Sequence, residues 1–359
     1  MNKATGILLL CLFCIHQLSY SQEKLRIVLA GLSHDHVNGI LAKNKNGTAL
    51  VVGIAEADQQ LCNRMKTTYG LPDSVFYKDL PSAVKKNHPD LVMVYNAPTE
   101  HLKVIETCMP LHIPVMVEKP LCFSYAEASR IDMLSKKYNT KVFTNYVSNW
   151  YVSNVEVFKR VNEKNELGAI QKMVMHGGHR GPVEIGCSKD FLGWLTDPVK
   201  NGGGAITDFG CYGACIMTQL MQGKMPTSVF AITRHLKPGV YPRVDDDATI
   251  LLEYPGGVTG IIEASWSWPY TIMDVEVYGK DSYLHAVDPT TLQSKTEKEM
   301  KTEDISAPPY KNELDYLTAV IKNGAPDNNK LLSLERNLIV VRILDAALRS
   351  VKEGKKVSL

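Results

Sequence analysis

No stretch of the chain after its first residues strings together the roughly 18 apolar residues that cross a bilayer as a helix, so a membrane-spanning helix is not expected there. The formal charge is only +2, and no Lys/Arg stripe with interleaved aromatics occurs, which removes the electrostatic footprint of a nucleic-acid binder. Beyond residue 21 there is no C-x-x-C pair and no zinc-type spacing of cysteine and histidine. Internal repeats, low-complexity tracts and a flexible linker are also missing, so solenoids and beads-on-a-string arrangements drop out. What remains is an ordinary globular composition, 45% hydrophobic and 22% charged over 359 residues, long enough for two cores and suited to a small neutral substrate.

The first residues read as an address rather than as fold. Met1 to Lys3 is a short positive start, Gly6 to Ile15 is mostly apolar, and Ser19-Tyr20-Ser21 offers small side chains where signal peptidase reads. Cleavage after Ser21 and export to the periplasm are expected. Cys11 and Cys14 follow Leu10 and Phe13 where lipidation wants a small residue, so a soluble protein is expected over a lipoprotein. Removing residues 1–21 leaves Cys62, Cys108, Cys122, Cys187, Cys211 and Cys215, read as small buried hydrophobes.

From residue 22 to 150 short apolar runs alternate with helical spacing. Strands are expected at Leu25 to Ala30, Leu50 to Ala55, Leu91 to Tyr95, Val115 to Val117 and Lys141 to Thr144. A helix is expected to begin near Ser33, with others at Gln59 to Tyr69, Glu100 to Met109 and Ser124 to Tyr138. This alternation predicts a Rossmann-type, doubly wound parallel sheet. After a linking helix at Ser153 to Asn165 the pattern changes. Segments at Gln171 to His176, Val229 to His235, Ala248 to Tyr254, Val258 to Trp268, Asp274 to Tyr278 and Tyr283 to Val287 alternate polar and apolar residues, which predicts a large, mainly antiparallel open sheet in an α+β domain over 151–359. Helices at Tyr212 to Gln222, Lys311 to Lys322 and Leu331 to Lys352 complete it, and the last two are expected to reach back to the first domain.

Chemistry-bearing residues sit at the strand ends, where open α/β sheets bind their ligands. The first strand leads into Gly31-Leu32-Ser33-His34-Asp35-His36, which keeps one glycine of G-x-G-x-x-G. Ser33 could cap the helix, Asp35 would sit in its first turn, and His34 and His36 could donate to an anion. A metal held by His34, Asp35 and His36 would need distant ligands and is not expected. Glu56 ends the second strand where a carboxylate accepts from ribose hydroxyls and repels a 2′-phosphate, which favours NAD over NADP. Asn96-Ala97-Pro98-Thr99-Glu100-His101 is a strand-to-helix turn able to lie against a nicotinamide. Pro114 to Pro120 ends a buried strand in Glu118, Lys119 and Pro120. Lys119 could serve as an acid or base if burial or a positive neighbour lowers its pKa. In the second half, Gly202-Gly203-Gly204 marks a close chain approach, and Asp208 and Tyr212, four apart, would share a helix face.

Taken together, these pieces resemble the glucose-fructose oxidoreductase and inositol dehydrogenase family, usually written Gfo/Idh/MocA. The resemblance rests on the Gly31 turn, Glu56, A-P-T-E-H, E-K-P at Glu118 to Pro120, N-Y-V-S-N-W at Asn145 to Trp150, G-G-G-A-I-T-D-F-G-C-Y at Gly202 to Tyr212, and D-D-D-A at Asp245 to Ala248. It implies an NAD-dependent oxidoreductase with Lys119, Asp208 and Tyr212 as catalytic residues. Tyr212 stands where many members carry histidine, as in the glucose-fructose oxidoreductase, dihydrodiol and xylose dehydrogenase branch. On that scheme Tyr212 or Lys119 takes a hydroxyl proton while the sugar carbon gives hydride to the nicotinamide. Lys119 lowers the phenol's pKa, and Asp208 orients the lysine or the sugar. The cofactor residues implied are Gly31, Ser33, His34, His36, Glu56, Ala97, Pro98, Thr99, His101, Glu118 and Lys119, and those of the substrate wall are Tyr146, Trp150 and Arg180.

The resemblance also implies a homo-oligomer, since the broad second sheet commonly forms subunit interfaces in this family. The expected partner is a small sugar or glycoside. Two alternatives stand beside a net dehydrogenase. One is a redox-neutral glycosidase, lyase or epimerase that works through a transient keto-sugar and keeps its NAD tightly bound, which suits export without twin arginines. The other is a non-catalytic exported carbohydrate-binding protein.

Overall fold

The computed structural model describes residues 23–295, 298–327 and 330–359; the expected export signal and its Ser21 cleavage point lie outside the described residues. The first half begins β1 (Arg26–Ala30), α1 (Val37–Lys45), β2 (Leu50–Ala55), α2 (Gln59–Tyr69), β3 (Phe76–Tyr77), α3 (Leu80–Asn87) and β4 (Leu91–Val94). It continues α4 (His101–Cys108), β5 (Val115–Glu118), α5 (Tyr125–Tyr138) and β6 (Val142–Asn145). Local chemistry sets these ends. The Asp58 side chain accepts from Gln60 N and Leu61 N to start α2, and Gly70 ends it in the left-handed region at φ 68°. β4 and β5 are buried along their whole length, as the run of apolar residues at each requires.

The six strands are all parallel, in the order β3-β2-β1-β4-β5-β6, so the chain reverses direction between β1 and β4. A crevice opens there beyond the carboxyl ends of the strands. β3 and α3 escape the hydrophobic pattern, because β3 is two residues long and α3 buries only Ala83 and Val84. The first helix starts at Val37, later than expected. Ser33 does not cap it and Asp35 is not in its first turn; the N-cap is His36, without a side-chain bond. The intervening residues form a turn anchored by His34 N donating to Tyr95 O at 2.9 Å.

The second half runs α6 (Val152–Asn162), β7 (Ile170–Gly178), α7 (Lys189–Leu195), α8 (Pro198–Asn201), α9 (Ala205–Asp208) and α10 (Gly210–Leu220). Then come β8 (Ser228–Arg234), β9 (Asp247–Glu253), β10 (Thr259–Ser265), β11 (Ile272–Gly279), β12 (Tyr283–Ala286), β13 (Leu292–Lys295) and β14 (Met300–Thr302). α11 (Glu313–Ile321), α12 (Leu334–Glu353) and β15 (Val357–Ser358) close the chain. The nine strands form one sheet, β14-β13-β12-β11-β7-β10-β9-β8-β15, antiparallel except for the β7–β10 pair. α10, buried along its whole length, packs on one face beside α12, and strand burial alternates accordingly. α12 also packs on α5, and Thr144 N donates to Leu332 O at 3.0 Å, so the C-terminal helix touches both halves. No described helix is long and apolar enough to cross a membrane. The six described cysteines are unpaired, and five of them are buried.

Candidate active site

The crevice holds a cavity of about 900 Å³. Gly31, Ser33, Glu56, Asn96, Ala97 and Thr99 line it from the first half, and Lys189, Asp190, Gly193, Trp194 and Lys200 from the second. Gly31 has φ 80°, and a Cβ there would lie 2.8 Å from Asn96 Cβ, so the remaining glycine of the turn is required by backbone shape and by space. Both oxygens of Glu56 accept backbone amides, from Leu32 at 3.1 Å and Asp58 at 2.8 Å, which fixes the carboxylate at the end of β2. The cavity has the size, the backbone turn and the acidic strand end that an extended dinucleotide calls for.

His36, in the place of the last motif glycine, turns aside instead of obstructing the cavity. Its Nδ1 lies 2.9 Å from Glu118 Oε2, Asn145 Nδ2 donates to Glu118 Oε1 at 2.9 Å, and Trp150 Nε1 donates to Asn145 Oδ1 at 3.0 Å. Burial pushes the Glu118 carboxyl up, but His36, Asn145 and Lys119 outweigh it and hold the group below its ordinary value. A charged, buried glutamate is thus fixed one residue before the lysine.

Lys119 emerges from β5 into a buried site between the halves. Its Nζ bonds the Asp208 carboxylate, lies 3.3 Å from Asp208 O, and stands 4.9 Å from the centre of the Tyr212 ring. Trp266 Nε1 donates to the other Asp208 oxygen at 2.9 Å. Asp208 ends α9 and Tyr212 belongs to α10, so the two reach Lys119 across a kink at Phe209 rather than from one continuous helix. Two electrostatic expectations are corrected here. Burial does push Lys119 down, but Asp208 more than reverses it, so the amine is held as an ammonium well above its ordinary value. Lys119 does pull the Tyr212 phenol down, yet burial wins and the phenol ends well above its ordinary value. Asp208 stays ionised because Lys119 overcomes the cost of its burial.

Several sequence-derived candidates sit elsewhere. The His34 ring is buried against Phe191 and Trp194 of α7, with centroids 4.7 and 5.4 Å away, and its Nδ1 accepts from His36 N at 3.2 Å. It wedges the two halves together rather than facing an anion. Asp35 likewise accepts from Ser188 N at 2.9 Å. Pro98 is buried at the start of its turn, and His101 is buried with Nδ1 3.0 Å from Leu121 O, so neither lines the cavity. Tyr146 is fully buried and donates to Asn337 Oδ1 at 3.1 Å, backing Tyr212 edge-on at 5.7 Å. Trp150 packs on Tyr316 at 5.8 Å. Tyr146 and Trp150 are supports, not a substrate wall, while Arg180 is exposed after β7. Sequence reasoning passed over Trp266, whose partner is 58 residues away, and His179, which follows β7 and packs edge-on to Phe209 at 5.0 Å. A strand ending in H-G-G-H was the available signal for His179.

The buried histidines carry a pH dependence. Burial lowers His101 from 6.5 to about 4, and the unfolded chain therefore binds a proton that the folded chain refuses between those values. Folding stability should fall as pH drops through that window, by about 3 kcal/mol from this residue. Urea unfolding at neutral and acidic pH checks it: His101→Gln should flatten the curve by that amount, and an unchanged slope contradicts the assignment.

Comparison with known proteins agrees with the geometry. Residues 25–146 match the oxidoreductase family, NAD-binding Rossmann fold of GFO/IDH/MocA, and residues 155–285 match the GFO/IDH/MocA C-terminal domain. Trans-1,2-dihydrobenzene-1,2-diol dehydrogenase of Mus musculus is 23% identical over 242 residues, 67% of this chain and 68% of that one; its Bos taurus counterpart is 23% identical over 263 residues, 73% of each. Among solved structures, the aldose-aldose oxidoreductase of Caulobacter crescentus complexed with glycerol superposes with TM-score 0.78 at 20% identity, covering 94% of this chain and all of that one. The inositol dehydrogenase homolog of Azotobacter vinelandii complexed with NAD+ gives 0.78 at 16%, covering 94% and 98%.

Proposed function

The chain belongs to the GFO/IDH/MocA oxidoreductase family, and from that premise we propose that it exchanges hydride between NAD and a hydroxyl of a sugar or glycoside, outside the cytoplasm. The observation that carries the reading is the buried Lys119–Asp208 ion pair with Tyr212 beside it, at the carboxyl end of β5 and next to the dinucleotide crevice. Polyol and aldose chemistry in the names of the structural relatives supports a polyhydroxylated substrate. Glu56 favours NAD, because a 2′-phosphate would face its carboxylate. The open face of the nine-stranded sheet is the proposed surface for self-association.

The bound nicotinamide supplies the hydride acceptor or donor. The protein's own residues handle the proton. With Lys119 an ammonium and Tyr212 a phenol, both groups stand ready as acids, so at neutral pH the site suits protonation of a nascent alkoxide as a carbonyl is reduced. Alcohol oxidation needs one of them to lose a proton first. The oxidation rate is therefore expected to climb with pH, roughly tenfold per unit above neutrality. A flat profile for oxidation would assign the proton to another group. Following NADH formation with a panel of aldoses, polyols and glycosides tests the function itself; no turnover and no thermal shift with NAD would refute it.

A redox-neutral variant of the same chemistry is favoured by one feature. α7 covers the cavity from the second half, and Arg64 of α2 bonds Asp190 of α7. A cofactor held beneath α7 would be retained between turnovers. Mass spectrometry of the denatured protein should then find NAD carried through purification, and substrate should be consumed with no net NADH; stoichiometric NADH release rules this variant out.

A further inference from the structure

The open face of the nine-stranded sheet carries a cluster that the active site does not use. His176 on β7 stands directly across from Asp274 on β11, and Glu276, two residues on, stands across from His285 on β12. His176 Nδ1 is 2.7 Å from Asp274 Oδ1, and His285 Nε2 is 3.1 Å from Asp274 Oδ2. Ligand-type atoms of His176, Asp274 and Glu276 all fall within 4.8 Å of one another. In the single chain these side chains are sheltered but reachable, at 33% exposure for His176, 20% for His285 and 15% for Asp274, and the ion would lie within the face proposed for self-association.

We propose that these residues form a binding site for a divalent transition-metal ion such as Zn2+. Metal–ligand bonds of about 2.0–2.2 Å in a tetrahedral shell place ligand atoms roughly 3.3 Å apart. The His–Asp separations already approach that spacing and three of the ligand atoms are clustered; His285, bonded to the other Asp274 oxygen, would have to turn toward them to complete the shell. Two imidazoles and two carboxylates form a mixed N/O set that selects zinc, nickel or copper over magnesium and calcium. The ligands rise from three adjacent hydrogen-bonded strands, which fixes their spacing. Tyr283 donates to Glu276 Oε2 at 2.9 Å and supplies the outer hydrogen bond that orients a carboxylate ligand. Binding exchanges the two His–Asp hydrogen bonds for metal bonds and releases any proton carried on the coordinating nitrogens. Among the described residues the other group with ligand-type spacing is His34, His36 and Glu118, where His36 and Glu118 already bond each other and His34 Nδ1 accepts from the His36 amide. The ion on the sheet would staple β7, β11 and β12.

The test uses the full chain stripped with chelator and Zn2+ alone as probe. Calorimetry should show one ion per chain, weakened by more than about tenfold in His176→Gln, in His285→Gln and in Asp274→Asn, and lost in the double histidine variant. His112→Gln, remote on the surface, should bind as the unaltered chain does. The electron paramagnetic resonance spectrum of Cu2+ bound to the unaltered chain should show two coordinating imidazole nitrogens, a readout that needs no variant to fold. Zinc retained by the double variant, or none bound at millimolar Zn2+, overturns the proposal and leaves the cluster a plain hydrogen-bonded network.

Discussion

Lys119→Ala is expected to lower kcat by about a thousandfold or more, with a much smaller effect on binding of NAD. The ammonium stands against Asp208 and above the Tyr212 ring, where the charge of a substrate alkoxide would develop. Loss of a positioned acid typically costs about a hundred- to ten-thousandfold, and loss of a preformed positive charge at a developing oxyanion adds to it. The same change leaves the Asp208 carboxylate buried with Trp266 as its remaining hydrogen-bond partner among the described residues, and breaking one side of a buried pair destabilises by about 3–5 kcal/mol. Inactivity alone would therefore be ambiguous. Lys119→Met combined with Asp208→Leu separates the two effects: replacing both charges with apolar side chains should recover most of the stability and none of the turnover. Turnover in that double variant within about tenfold of the unaltered enzyme would remove Lys119 from the chemistry.

The parts of this site that could be read in the sequence are those in which the chemistry lies along the chain. Glu118-Lys119-Pro120 announces itself because charge abruptly ends a buried apolar strand, and Glu56 because its distance from Gly31 is fixed by a strand, a helix and a strand. The protonation states could not be read there. Whether Lys119 is an ammonium depends on Asp208, which lies 89 residues away in sequence. The fate of the Gly31 to His36 turn was equally hidden. A histidine in place of a glycine reads as an obstruction, until Glu118 is seen to draw His36 aside and α1 to start later. Tyr146 and Trp150 were misplaced for a related reason. Aromatic residues after a strand suit a sugar wall or a core equally, and the choice fell to Asn337 and Tyr316, near the far end of the chain. Edge strands such as β3 and β14 are too short to carry a pattern.

The three glycines at 202–204 lead to the second large effect. Read as a close approach, they could not reveal what they approach. Gly204 lies against the backbone of Asp245, where an added Cβ would fall 1.8 Å from the carbonyl oxygen and 3.1 Å from Val244 Cβ. The contact is also a fastening. Asp245 accepts from Gly204 N at 2.8 Å and Ile206 N at 2.7 Å through its carboxylate, and from Ala205 N at 3.1 Å through its carbonyl. Those three amides open α9, the helix that ends in Asp208, so the D-D-D-A segment anchors the carboxylate that holds Lys119. Gly204→Ala must push these strands of chain apart and break at least part of that anchor. A loss of about 4 kcal/mol or more is expected, in the range reserved for backbone strain and broken buried networks, with Tm falling by roughly 6 °C or more. Whatever folds should have lost turnover as well, because Asp208 moves with α9. Gly39→Ala is the control: no atom lies within 4 Å of its added Cβ, it sits inside α1, and alanine there should stabilise by about 0.5–1 kcal/mol. If Gly204→Ala melts with the unaltered protein and keeps its activity, then the Asp245 anchor does not position Asp208.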